Sequence, residues 1–431
     1  MTTRLALLAL ALASLLAAQN WPQWRGPNGD GTSPARDLPL SWSETENIAW
    51  RVELPSWAAA TPIVWGDVVF VTSAEQGFAG HKGSGQAGAG DKDKLLLIAI
   101  NRKDGSERWR RVMGDHNHIG NKQNMASPTP VTDGKHVWTM TGNGRMAMWD
   151  FDGNKGWERN LEADYGKFGL QFGYGSSPIL DGGKLYVQVL HGFHTDEPCY
   201  LLALDAATGK TLWKVERPTD AQHESPDSYS TATIGEINGK RQLIVSGADY
   251  ITGHDLATGR ELWREGGLNP NKDLNYRTIA SPLVVGDMVF APSRRRPFIA
   301  FKLGREPERM WTTDYGPDVP TPTSDGERLY IIDDRGVALC LNVKDGATIY
   351  DRTRIEPGTY SASPVLADGK IYAISEDGAT SVIAAGGEFR LLSVNKLNDY
   401  TLATPAVSDG QIFIRTSQYL YCIGKRSGRA D

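Results

Sequence analysis

The sequence predicts an all-β fold: an eight-bladed β-propeller of four-stranded antiparallel blades, its ring closed by an N-terminal strand that pairs into the last blade. Three observations predict it. A short start phrase recurs eight times, each copy leads into an apolar hairpin, and a second, Trp-bearing phrase follows most copies. Thirteen Trp beside 47 Gly fit such an array better than a set of amphipathic helices.

The start phrase is a small residue, Ser or Thr, Pro, and an apolar pair. It stands at Thr61-Pro62, Ser127-Pro128, Ser177-Pro178, Ser281-Pro282, Thr321-Pro322, Ser363-Pro364 and Thr404-Pro405, and a degenerate copy at Ser230-Thr231-Ala232 fills the one gap. Pro suits the first position of a strand, where its missing N–H removes no ladder bond. Asp181-Gly182-Gly183 and Asp368-Gly369 then separate two apolar runs, and Gly accepts the positive φ of a tight hairpin. The second phrase is clearest at Asp205-Ala206-Ala207-Thr208-Gly209-Lys210-Thr211-Leu212-Trp213 and at Asp255 to Trp263. It reads as a third strand, a Gly turn, and a fourth strand carrying an aromatic residue. Starts lie about 40–65 residues apart, the spacing of four-stranded blades plus loops. The widest gap holds a Gly-rich polar insertion, residues 80–94.

Closure follows from the two ends of the array. The last repeat ends after Tyr419-Leu420-Tyr421-Cys422-Ile423, one strand short, while residues 47–53 form a strand with no blade of their own. Pairing them completes the ring and removes its open edge. Each sheet has two apolar faces that only its neighbours can cover, and the recurrent Trp residues are expected to dock between blades.

The ends bound the propeller. Arg4, an Ala/Leu run over residues 5–16, and the small residues Ala17 and Ala18 have the order of a secretory signal peptide. The expected organisation is a signal peptide at 1–19, a Pro/Gly-rich extension at 20–44, the propeller at 45–426 and a tail at 427–431. With no Cys near the cleavage region, the expected location is periplasmic or secreted, without a lipid anchor. No later run is long enough for a transmembrane segment. A net charge of -5 argues against nucleic acid as a partner. Cys199, Cys340 and Cys422 are far apart and lie in or beside apolar runs, so free thiols are expected in a monomer.

Candidate site residues gather in the loops that precede the channel-lining strands. Residues 114–125 carry His116 and His118 beside Asp115, whose imidazoles make a candidate metal pair. The corresponding loops of the next three blades carry Gln171 and Tyr174, then His223 and Tyr229, then Tyr276 and Arg277. Converging at a channel mouth, such polar and aromatic groups form a ligand site. Arg294, first of three successive Arg, is a candidate partner for a carboxylate or phosphate. No Walker loop, GxSxG elbow or HExxH motif occurs.

The phrase ending at Trp213 resembles the tryptophan-docking repeat of the quinoprotein propellers. The opening Trp21-Pro22-Gln23-Trp24-Arg25-Gly26-Pro27-Asn28-Gly29-Asp30-Gly31 resembles the start of exported bacterial PQQ-binding-like propeller proteins. The resemblance implies two kinds of function. Quinoprotein dehydrogenases hold PQQ and calcium in the channel and oxidise alcohols or sugars; BamB-like members bind no quinone and act as scaffolds. The adjacent-Cys disulfide of the methanol-dehydrogenase type is missing here, as is the N-terminal lipidated Cys of BamB. The expected function is an exported, non-catalytic scaffold or ligand-binding propeller that meets protein or envelope-glycan partners. A PQQ-dependent oxidoreductase is the alternative, and a metal-assisted hydrolase or lyase using His116 and His118 is a third reading.

Overall fold

A computed structural model describes residues 19–76, 92–120, 122–237, 239–294, 296–304 and 306–425. The expected signal segment up to residue 18, the Gly-rich insertion up to residue 91 and the tail lie outside the described residues. Eight four-stranded antiparallel blades form the array: one (63–114), two (131–160), three (179–216), four (233–265), five (283–313), six (323–354), seven (365–396) and eight (406–423 with 48–53). Blade eight closes as expected. Ile48–Glu53 pairs antiparallel with Tyr419–Ile423, and Trp50 stands opposite Cys422. The described helix is one short turn, Leu161–Tyr165, capped by Asn160 Oδ1. None among the described residues is long and apolar enough to cross a membrane.

The hairpins form for the reason the sequence suggests. Ala367 pairs with Lys370 across Asp368 and Gly369, whose φ values are 52° and 67°. Two consecutive positive φ values make the turn whose twist matches the strands it joins.

The start phrase has a second role, visible only in the ring. The backbone N–H of Thr61 donates to Thr129 Oγ1, Thr129 to Ser177, Ser177 to Thr231 and Thr231 to Ser281, at 2.8–3.0 Å. The chain continues through Thr321, Ser363 and Thr404 at 2.9–3.0 Å. A hydroxyl belt therefore links successive blades from one to eight, and a Ser or Thr recurs because its hydroxyl accepts the backbone N–H from the preceding blade. In blade two the belt residue is Thr129, in Pro128-Thr129-Pro130, two residues beyond the phrase expected at Ser127. Ser127 instead bonds Asn124 in the preceding loop.

At the outside, Trp50, Trp109, Trp157, Trp213 and Trp311 each lie against a Gly of the next blade: Gly105, Gly153, Gly209, Gly259 and Gly346. A Cβ at these glycines would stand 2.6–2.9 Å from the indole, and their φ values are 69–80°. Each indole N–H also donates to a carbonyl of that neighbour, at 2.7–3.2 Å. Trp263 departs from the pattern and donates to Gln242 of its own blade, because blade five lacks the Asp-x-x-Thr-Gly phrase. Gly209→Ala combines a left-handed backbone with overpacking against Trp157. We expect it to lower stability by about 2–5 kcal/mol in urea unfolding; a loss below about 1 kcal/mol contradicts the docking account.

The N-terminal extension crosses the channel. Trp21 makes a reciprocal antiparallel bridge with Val64 at 2.8 and 2.9 Å. The Pro22 carbonyl accepts from Thr132 N–H, and Thr32–Ser33 pairs in parallel with Leu366 and Ala367. Between these contacts, Arg25 Nη1 donates to the Thr321 carbonyl at 2.8 Å, and Nη2 donates to the Pro322 and Asp30 carbonyls. Trp21 and Arg25 are fully buried. One segment thus binds channel-lining strands of blades one, two, six and seven near their hairpin turns, and closes that mouth.

Candidate functional site

The other mouth is open. A pocket of ≈ 340 Å³ lies there, and every blade contributes to it: Ala59, Lys122, Phe172, Tyr229, Arg277, Val319, Tyr360 and Leu402, in ring order. These residues stand in the loops that lead into the channel-lining strands, so the loops singled out in the sequence do converge.

Two cations line the pocket, and each is tied to a carboxylate. Arg277 Nη1 donates to Glu224 Oε1 at 3.1 Å, and its guanidinium lies 5.2 Å from the Phe172 ring centroid. Lys122 sits in the small hairpin Ile119–Gly120 with Gln123–Asn124 and reaches across the ring to Glu376 of blade seven. Ser361 Oγ donates to the same Glu376 oxygen at 2.6 Å. Asp318 and Asp334 also line the wall. Asp334 Oδ1 accepts the backbone N–H groups of Asp318 and Val319 at 3.0 and 2.9 Å, and burial holds its carboxyl above the usual range. Behind Phe172, Asp227 accepts the N–H groups of Gln171, Gly192 and Phe193 at 2.8–3.2 Å, which joins the loops of blades three and four. Desolvation pushes its carboxyl up to about 6 despite those bonds.

Of the residues expected at this mouth, Tyr229 and Arg277 line the pocket. Gln171 lies beside it in the chain, its N–H held by Asp227. Tyr174 is buried, and its hydroxyl donates to the Gln188 carbonyl; Tyr276 is buried and its hydroxyl donates to the Arg296 carbonyl. His223 is exposed beside Phe193, and Arg294 is half-buried outside the lining. His118 is exposed, and His116 Nδ1 is engaged by Asp115 at 2.8 Å. Among the described residues no group of three or more His, Cys, Asp or Glu has the geometry to hold a metal ion.

Sequence reasoning missed Lys122, Asp334 and Glu376. A usable signal existed. Asp334 and Glu376 occupy one repeat position, two residues before Gly336 and Gly378, in the turn between the second and third strands of blades six and seven.

The donor set does not fit PQQ with calcium. With their partners, the charged lining groups comprise two cations, Lys122 and Arg277, against four carboxylates, Glu224, Asp318, Asp334 and Glu376. Both cations are already paired within the protein, so neither is free for the carboxylates of PQQ, and among the described residues no group of three or more carboxylates is arranged to hold its calcium.

Comparison with known proteins gives a consistent picture. The family model described as outer membrane protein assembly factor BamB matches residues 91–352. Among solved structures, BamB from Moraxella catarrhalis superposes with a TM-score of 0.62 at 14% identity, covering 86% of this chain and 98% of that one. The quinohemoprotein alcohol dehydrogenase from Comamonas testosteroni superposes with a TM-score of 0.67 at 12% identity, covering 96% and 82%. At such identities the likeness shows the fold. Among curated proteins, subunit 1 of methanol dehydrogenase [cytochrome c] from Methylobacterium organophilum is 37% identical over 82 residues, 17% of this chain. The match spans only 12% of that relative's length.

Proposed function

The chain belongs to the BamB family, and from that premise we propose that it is an exported, non-catalytic binding propeller of the bacterial cell envelope, using its open mouth to hold a ligand or a protein or glycan partner. The observation that carries this reading is the pairing of both pocket cations with glutamates, Lys122 with Glu376 and Arg277 with Glu224. Such pairs build a rigid wall that orients a bound group; they do not offer an unpaired cation to an acidic cofactor. Closure of the opposite mouth by residues 21–33 supports entry from one side only.

The test separates this reading from a PQQ-dependent oxidoreductase. Purified protein titrated with PQQ and calcium is expected to acquire no stoichiometric chromophore and to reduce no dye with alcohols or sugars. A bound chromophore at one per chain, with substrate-dependent dye reduction, overturns the proposal. Metal analysis addresses the hydrolase or lyase reading: the His116→Ala, His118→Ala double variant is expected to carry the same metal content as wild type.

A further inference from the structure

Glu376 is a fully buried carboxylate behind the open mouth, and its counter-charge comes from three blades away around the ring. Its side chain is 0% exposed. Oε1 accepts from Lys122 and from Ser361, while Oε2 has no hydrogen-bond partner among the described residues. Lys122 is tethered differently. Its side chain is 36% exposed, and both it and Ser361 line the pocket. The neighbouring Asp334, at the same repeat position of blade six, has no ion-pair partner among the described residues and uses Oδ1 for two backbone N–H groups. The floor is therefore rich in acceptors and short of positive charge, while the one ammonium that serves it comes from a partly exposed side chain at the rim.

A fully buried carboxylate is costly unless hydrogen bonds or a cation satisfy it; beside the ammonium of Lys122, the side chain of Glu376 has one serine hydroxyl, so another cation of the right shape can replace that ammonium. A primary ammonium carries three donors. Glu376 Oε1, the unpartnered Oε2 and Ser361 Oγ lie within one small region to receive them. Aromatic walls at Tyr360, Tyr229 and Phe172 suit the alkyl stem of such a group. We infer that Glu376 is the receptor for a primary ammonium group entering through the open mouth, and that Lys122 is its internal competitor. The inference rests on the binding reading above and gives the ligand a chemical class. A free alkyl amine and a lysine side chain of a partner protein share that chemistry.

Calorimetric titration of the full chain with cadaverine, and separately with a capped tripeptide bearing a central lysine, tests it. In wild type the site is competent only while Lys122 is displaced, so apparent affinity is reduced by that fraction. Lys122→Met is expected to tighten cadaverine binding by about tenfold, if Lys122 holds the site about nine-tenths of the time. Adding Glu376→Gln to that variant is expected to abolish the binding; with both charges gone, the double variant leaves no buried charge unpaired. Should Lys122→Met fail to fold, Lys122→Gln, whose amide still donates to Glu376, is expected to show a smaller gain. Equal affinity for both probes identifies a free amine as the source; tighter tripeptide binding identifies a partner's lysine. No gain in either Lys122 variant, or a gain that survives Glu376→Gln, overturns the inference. That failure leaves the binding reading intact, because quinone binding with dye reduction, which overturns that reading, is not what these titrations measure.

Discussion

Replacing Arg25 with alanine is expected to lower the stability of the propeller by about 3–5 kcal/mol and to release the N-terminal segment from the channel. Arg25 is fully buried, and burial lowers its guanidinium to about 10, so it remains charged at neutral pH. Its donors reach the carbonyls of Asp30, Thr321 and Pro322, which joins the segment to blade six. Truncation leaves those carbonyls without their donor and opens a void beside Gly31, where a Cβ would already stand 2.8 Å from the guanidinium. Arg25→Lys keeps the charge but loses the planar fork, so an intermediate loss is expected. Urea unfolding of the three proteins checks the series. Equal stability of Arg25→Ala and wild type contradicts the account.

Asp227→Ala carries the second large effect. Three backbone N–H groups from two loops lose their acceptor inside the protein, at a cost of about 2–4 kcal/mol at pH 7. The variant should also change the pH dependence. The Asp227 carboxyl is raised from 3.8 to about 6, so the folded state binds its proton more tightly than the unfolded state does. Between pH 4 and pH 6 the folded state therefore holds more protons, and this group's contribution to stability falls as pH rises through that window, by up to about 3 kcal/mol. The advantage of wild type over Asp227→Ala is expected to be largest near pH 4 and to shrink toward pH 7. Denaturant unfolding at intervals across that range measures it; an advantage that grows with pH shows a carboxyl depressed by its three bonds.

The fold was legible because its signals are local and repeated. Asp-Gly hairpins, Ser/Thr-Pro starts and the Thr-Gly-x-x-x-Trp phrase each act within one blade or between neighbours, and eight copies average out the weak ones. Even so, the structural meaning of the Ser/Thr emerged only from the ring, since the acceptor of Thr61 N–H lies 68 residues away. The shift from Ser127 to Thr129 shows how two Pro one residue apart, Pro128 and Pro130, make the phrase ambiguous.

The site was half legible. The loops were found, and Tyr229 and Arg277 with them, because position in the repeat tells which loops meet. Which side chains point into the mouth does not follow from that position. Tyr174 turns inward to the Gln188 carbonyl, two residues beyond Phe172, which lines the pocket. In the loop that carries His116 and His118, the imidazoles drew attention by their chemistry, whereas Lys122 reaches the mouth and Glu376. The channel crossing was not legible. The segment from Trp21 to Ser33 belongs to no repeat, and Arg25 contacts carbonyls 296 and 297 residues away.

That one-sided mouth is the claim on which the binding reading stands, and amide hydrogen exchange of the wild-type chain tests it most directly. The Trp21 amide, bonded to the Val64 carbonyl at 2.9 Å, is predicted to exchange as slowly as Ile98 in the interior of blade one. Trp21 exchange as fast as the exposed turn at Ala207 and Thr208, with Ile98 still protected, contradicts it.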